Sequence, residues 1–421
     1  MTKEMLLLAH LVFLLVFVGC HPKRKVEYDR PLPEGELGLR KITAADEIPD
    51  FTEGSFNLVG LSEGIEGSLN YLSKPSSSRF FPYGDISHER MIASLRAFDR
   101  LIDEGLRGSR LNDAILEQFD IYTSVGCDYA GTVLYTGYFT PVFDGSLRKT
   151  SRFRYPLYSK PNDLVKDDYG VILGRKEVDG KLKAYPARAE IEQSGMLEGN
   201  ELVWLDGAFK VYIAHVQGSA VIKLDDGKKI TVGYAANNGH KYKSISTKLV
   251  EDGVLSREQL SLSAMIDYFE QHPEQVEEYT SVNPRFVFFQ KSRQMVRGSL
   301  NEPVISMRTI ATDKSVYPRG GLAFIAVNLP QMVSGRIFHS AYRGFVLDQD
   351  TGGAIRAPGR CDVYMGQGEM AGEISGRVYQ EGRLYYLFIK PEYMDAGGEG
   401  DFASDGSAGH SGSAAAAEKP M

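Results

Sequence analysis

The sequence predicts a mainly β protein with some helix, folded as two β-rich domains. Three observations predict it. The chain has 421 residues, and chains beyond roughly 250–300 residues usually divide into domains. It carries 44 Gly, 23 Tyr and 21 Phe but a single Trp, a usage that suits turns and strands better than a helical bundle. From Pro303 to Lys390 the apolar segments are short and broken by Gly and Pro, the pattern of a small β-barrel or sandwich. Hydrophobic residues at 43% and charged residues at 24% exclude wholesale disorder. Lys and Arg total 48 against 55 Asp and Glu, leaving a net charge of −7. That balance argues against a nucleic-acid partner held by phosphate neutralisation.

The elements follow in order. Met1–Cys20 has one Lys near its start and an apolar run from Met5 to Val18. The run has the length of a signal h-region and is short for a membrane span. It ends in Phe17-Val18-Gly19-Cys20, which resembles a bacterial lipobox with Phe where Leu is usual. Cys20 is then the lipidated first residue of an exported protein, and a plain signal peptide is the other reading. His21–Gly54 reads as linker and loop. His88–Gly105 is a helix, because Ile92, Leu95, Phe98 and Ile102 recur at helical spacing. Leu134–Val142, Val203–Ile213, Ala220–Leu224, Lys229–Tyr234 and Arg285–Phe289 read as strands, with a hairpin turn at Asp225-Asp226-Gly227. Ser256–Gln271 reads as a helix opened by a Ser256/Gln259 capping box, and Pro273–Tyr279 as a second, short helix. Gly321–Val327, Ile337–Asp348, Cys361–Tyr364 and Arg383–Ile389 read as strands. The Gly-, Ser- and Ala-rich stretch 395–421 has little to bury and reads as a disordered tail.

Common catalytic signatures are missing from the sequence: GxSxG, HExxH, a Walker loop, and GxGxxG after a strand. The eight His are dispersed, and no Cys/His spacing suits a metal. No metal or cofactor is expected. Cys127 and Cys361 remain once Cys20 is consumed. An exported compartment permits a disulfide, but two free thiols are the reading preferred. What stands out is carboxylates in unusual company. Asp350 precedes the Gly352-Gly353 pair, and Asp362 sits between Cys361 and Val363 in an apolar stretch. Burial there raises a carboxyl pKa toward what a general acid needs at neutral pH. The bland alternatives are a turn-forming Asp350 and an Asp362 on a solvent face. Asp313 is expected to hydrogen-bond the turn that follows it. A second, polar and aromatic cluster comprises Tyr138, Thr140, Gln217, Gly218, Ser219, Asn237, His240 and Tyr242. Aromatic faces with nearby amides suit a sugar ligand; core Tyr and ordinary turns are the alternative.

Nine segments in order carry a resemblance: TGYFTPV (136–142), YPLYSKP (155–161), YPARAEI (185–191), VQGSAVIKLDDG (216–227), GYAANNGHKYKSI (233–245), NPRFVFF (283–289), ATDKSVYPRG (311–320), DTGGAIRAPGRCDVYMGQGEMAGEISGRV (350–378) and GRLYYL (382–387). Together they resemble the membrane-bound lytic transglycosylase A family. The resemblance implies a double-psi β-barrel domain and an inserted β-rich domain across a large groove. The barrel domain would comprise 55–143 and 302–394, and the insertion 144–301. It implies cleavage of peptidoglycan between N-acetylmuramic acid and N-acetylglucosamine with a 1,6-anhydro end as product. Asp362 falls on the family's single catalytic acid, with Asp350 and Asp313 on its two supporting aspartates. The eight polar and aromatic residues above would hold the glycan. The implied partners are peptidoglycan strands, a membrane met through the N-terminal lipid, and other cell-wall remodelling proteins. The implied location is the outer membrane, facing the periplasm. The spacing from Asp350 to Asp362 and the Arg360-Cys361 pair before the acid depart from better-known members. Two other functions compete: a non-catalytic glycan-binding lipoprotein on the same fold, and a water-dependent endoglycosidase with a second essential carboxylate.

Overall fold

A computed structural model describes residues 26–167, 170–256, 259–292 and 295–394. The expected signal segment with Cys20 and the expected tail at 395–421 lie outside them. Within them the chain begins with β1 (Leu39–Lys41), β2 (Phe119–Ser124) and β3 (Val133–Thr140). Nine strands follow: β4 (Val142–Ser146), β5 (Tyr155–Tyr158), β6 (Leu164–Lys166), β7 (Ile172–Lys176), β8 (Leu182–Lys183), β9 (Glu201–Leu205), β10 (Ser219–Leu224), β11 (Lys229–Asn237) and β12 (Val287–Ser292). The chain returns through β13 (Thr309–Ala311), β14 (Leu322–Val333), β15 (Arg336–Asp350), β16 (Arg360–Gln367) and β17 (Tyr379–Ile389).

Six of these close a barrel in the order β3-β16-β13-β15-β14-β17 and back to β3. The pairs β3–β16 and β13–β15 are parallel, and the other four are antiparallel. Closure removes the exposed edges of an open sheet. β17 makes it possible by serving two neighbours on one side: Tyr379–Gly382 pair with β3 and Tyr385–Ile389 with β2. Alternate side chains fill the interior, among them Tyr135, Ile310, Cys361, Val363 and Tyr386, all buried, while Phe324 and Leu347 face outward under the covering helices. This is the mainly β architecture with some helix that the sequence predicted.

Helices cover the barrel. His88–Asp103 is capped by Ser87, whose side chain accepts from Arg90 N–H. Its buried Leu95, Phe98 and Ile102 belong to the expected stripe, while the expected Ile92 is half-buried and Met91 is buried instead. Leu61–Leu72 packs beside it. The stretch expected as linker is partly structural. Leu39 starts a strand on β2, and fully buried Phe51 lies with ring centroids 4.9 Å from Phe324 and 6.0 Å from Phe345. One large apolar residue among Pro and Gly carries no periodicity to announce this.

The middle of the chain forms a second, six-stranded sheet in the order β12-β11-β10-β4-β9-β5. The β10–β11 hairpin is antiparallel, as predicted. Two expected elements differ. The strand expected over Val203–Ile213 stops at Leu205, and Ala208–Gln217 is a helix burying Phe209, Tyr212 and Ile213. A run apolar on most sides does not separate the two periods. The reciprocal bonds of the Ser256/Gln259 box exist, at 3.2 and 3.3 Å, but the helix Leu262–Gln271 starts only after Ser261, which caps Ala264 N–H. Residues 257–258 lie outside the described set. Cys127 and Cys361 are both buried free thiols.

A buried ion pair knits the barrel interior. Lys314 contacts Asp348, which also accepts hydrogen bonds from Thr312 Oγ1 and Tyr386 OH. Burial pulls the Lys314 ammonium below its usual range. Removing the cation leaves an uncompensated buried carboxylate. Lys314→Met should therefore lose about 3–5 kcal/mol of unfolding free energy. Denaturant melts check this, and Lys314→Met with Asp348→Leu should recover most of the loss.

Candidate functional site

A groove of about 920 Å³ separates the barrel from the second sheet. Its floor is built by strand register. Ala311 of β13 pairs with Asp350 of β15 on one side and with Asp362 of β16 on the other. Neighbouring strands lie about 4.8 Å apart, so the two aspartates flank one small residue, and all three line the groove.

The two carboxyls are dressed differently. Asp350 accepts three hydrogen bonds: from Ser299 N–H at 2.8 Å, Thr351 N–H at 2.8 Å and Tyr138 OH at 2.9 Å. Gly298 permits the first, since a Cβ there would sit 3.0 Å from Gln349 O and 3.1 Å from Asp350 Cγ. Asp362 accepts one, from Thr136 Oγ1 at 2.5 Å, and Thr136 in turn accepts from Arg360 Nη2 at 3.3 Å. Burial pushes both carboxyls above the usual carboxylate range. For Asp362 the Asp350 charge adds to the rise, while Thr136 and Arg360 oppose it. Asp313 stands apart. It accepts from Ser315 N–H, Ser315 Oγ and Ala357 N–H, so it ties the 313–317 turn to the loop before β16 and lines neither the groove nor its side chamber.

Of the residues expected to hold a glycan, Tyr138, Thr140, Gln217, Gly218 and Ser219 line the groove. Gln217 Oε1 accepts Phe139 N–H at 3.1 Å, stitching the Ala208–Gln217 helix to β3. Thr140 shares a 2.8 Å hydrogen bond with Tyr364, whose ring lies 5.1 Å from that of Tyr138. Tyr242 lines a smaller adjoining chamber. Asn237 and His240 lie outside both linings. Asn237 bonds Tyr234 OH and Gly239 N–H, and His240 bonds Tyr185 O, so both brace a loop. Their polar types alone could not tell bracing from binding.

Sequence reasoning missed the basic wall. Lys74, Arg285, Lys291, Arg297 and Arg356 line the groove, where Asp350 and Asp362 are the acids. The chain is acidic overall, so the bias is local and comes from distant segments. Arg285 and Arg356 stood inside quoted motifs, which was the one available signal. Among the described residues no group of three or more His, Cys, Asp and Glu could hold a metal.

The family description "MltA specific insert domain" matches residues 134–290, and "3D domain" matches 308–388. A membrane-bound lytic murein transglycosylase A of Vibrio cholerae is 33% identical over 285 residues, 66% of this chain and 72% of that protein. The Escherichia coli K12 protein of that name is 30% identical over 276 residues, 65% of this chain and 70% of its own length. The chain belongs to the membrane-bound lytic murein transglycosylase A family. Its relatives are named as peptidoglycan-cleaving enzymes, and the fold agrees. A membrane-bound lytic murein transglycosylase from Agrobacterium tumefaciens superposes with a TM-score of 0.70 at 22% identity, covering 85% of this chain and 99% of that one. E. coli MltA with bound chitohexaose superposes at 0.63 and 24% identity, covering 87% and 97%. Among the described residues no helix is long and apolar enough to cross a membrane.

A carboxyl whose folded pKa is raised stabilises the fold below its unfolded pKa of about 4, and that contribution is lost as pH rises through the folded value. Asp362→Asn should therefore melt higher than the unsubstituted protein near pH 7, with the gap closing toward about pH 3. Thr136→Val removes the donor that favours the charged form, so the Asp362 titration followed by carboxyl carbon NMR should move further up.

Proposed function

We propose that this chain is a peptidoglycan lytic transglycosylase that cuts the MurNAc–GlcNAc β-1,4 bond and leaves a 1,6-anhydro-MurNAc end, with Asp362 as its one catalytic acid and base. One observation carries the reading. Asp362 is a groove-floor carboxyl with a raised pKa and a single side-chain donor, whereas the lone pairs of Asp350 are engaged by three donors. Ordinary glycosidases need two working carboxylates. Here the 6-hydroxyl of the muramic sugar is the nucleophile, so one suffices.

In this reading, protonated Asp362 gives its proton to the glycosidic oxygen as the bond to C1 breaks. The 6-hydroxyl oxygen bonds to C1, and the Asp362 carboxylate takes the hydroxyl proton. The acid is thus restored for the next cut without water, metal or cofactor. Burial keeps the acid protonated toward neutral pH. Thr136, backed by Arg360, steadies the carboxylate that forms between the two transfers. Asp350, held by Ser299, Thr351 and Tyr138, presents negative charge across Ala311 where the sugar ring becomes positive. Tyr138, Thr140, Gln217, Gly218, Ser219 and Tyr242 position the strand, Asn237 and His240 act through the loop they brace, and Asp313 acts through the loop it ties. Export by the N-terminal segment and lipid attachment at Cys20 would hold the enzyme at the outer membrane, facing the periplasmic wall and other wall-remodelling proteins. Barrel segments 55–143 and 302–394 would form the catalytic domain, and 144–301 the insertion.

The test incubates purified protein with cell-wall sacculi and separates the products by mass spectrometry. Anhydromuropeptides are expected, and Asp362→Asn and Asp362→Ala should reduce their release by at least a thousandfold. Reducing ends would indicate the hydrolase. Binding without release would indicate a glycan-binding protein. Full activity in Asp362→Ala would falsify the assignment.

A further inference from the structure

Beside Asp362, a side chamber of about 180 Å³ opens between the barrel and the second sheet. Its wall carries hydrogen-bonding groups without partners. His215 is 4% exposed and lines both the groove and the chamber, yet neither ring nitrogen has a hydrogen-bond partner among the described residues. Its ring is held by Phe286 at 4.4 Å and Phe289 at 5.5 Å between centroids. Arg360 lines the chamber with its Nε buried and without a partner among the described residues. Arg285 lines it too, giving one hydrogen bond to His240 O at 3.2 Å and forming no ion pair among the described residues.

Buried polar groups are nearly always satisfied, so three unpaired nitrogens on one small wall indicate a missing partner. Arg360 Nε, the Arg285 guanidinium and one nitrogen of the His215 ring are donors, and the other ring nitrogen is an acceptor. The partner therefore offers chiefly acceptors. Burial and the nearby Arg188 hold His215 well below its usual pKa, which keeps the ring neutral. A second carboxyl is not called for, because an uncharged acceptor satisfies a neutral imidazole.

We propose that this chamber is a substituent pocket that receives an acyl carbonyl of the sugar being cut, hydrogen-bonded by His215 and Arg285. The proposal rests on the glycan reading above. Such a carbonyl has two sources in the strand: the 2-acetamido group of every sugar, and the lactyl amide at O3 of the muramic residues alone. His215 and Arg285 are binding residues that orient the sugar so that its glycosidic oxygen meets Asp362.

The test uses Asp362→Asn as the reference protein, which binds without turnover, and titrates it by calorimetry with chitotetraose and with a peptide-free GlcNAc–MurNAc tetrasaccharide whose lactyl groups are amidated. Adding His215→Phe, which keeps the contacts with Phe286 and Phe289, should weaken binding at least tenfold, and His215→Gln, which restores a donor, should recover most of it. Equal losses on both ligands assign the acetamido carbonyl; a loss confined to the muramic ligand assigns the lactyl amide. Arg285→Met should weaken the same ligand by a similar factor, and it decides the matter if His215→Phe does not fold. Affinities within twofold of the reference on both ligands, in folded variants, would overturn the pocket. If the reference protein binds neither ligand, the glycan reading fails first. If it binds both and the variants bind as well, only the pocket fails.

Discussion

Everything at the groove floor depends on β13 being a three-residue strand held between β15 and β16. Its parallel register with β15 and antiparallel register with β16 both bring an aspartate opposite Ala311. No hinge or loop sets that spacing. It is set by backbone hydrogen bonds of a closed barrel, which cannot slip by one residue without turning the whole strand inside out. The interior Lys314–Asp348 pair, with Thr312 and Tyr386, locks the same strands from beneath.

That rigidity lets two chemically identical carboxyls differ. Both are buried and both are shifted up, but Asp350 ends a long strand where two backbone N–H groups and a tyrosine hydroxyl converge on it. Asp362 lies within a strand whose backbone groups are already used in the ladder, so one threonine is all it meets. An aspartate kept short of donors costs stability at neutral pH, which is the reason the proposed proton transfers are assigned to Asp362. The raised Asp362 carboxyl and the His215 ring without a hydrogen-bond partner among the described residues are two such costs lining the same groove.

The groove's charge has a comparable origin. Lys74 comes from the helix-capped N-terminal part, Arg285 and Lys291 from around β12, and Arg356 from the loop before β16. No segment is notably basic, and the chain as a whole is acidic. Only the closing of the barrel and the seating of the second sheet collect these cations around two aspartates.

Much was nonetheless legible beforehand. Apolar, aromatic and β-branched runs between turn residues located β3, β10, β11 and most of β14–β17, and helical spacing located His88–Asp103, whose one face is buried. The Val203–Ile213 and Ser256–Gln271 boundaries were misread where burial on several sides or a local capping box gave the same signal in two conformations. Asp362 stood out as an acid between Cys and Val, a solvent-facing strand position being the bland alternative, and the family motif singled it out. Asn237 and His240 could not be separated from true groove residues, since a polar side chain looks alike whether it binds a ligand or a neighbouring loop. The sequence by itself determined the strand content, the outlying acid and the family motifs, all of which rest on local pattern. Tertiary structure decided the pairing of Asp350 with Asp362 across Ala311, the basic wall and the unpartnered nitrogens of the side chamber. Those depend on contacts between residues tens to hundreds of positions apart, which no local pattern records.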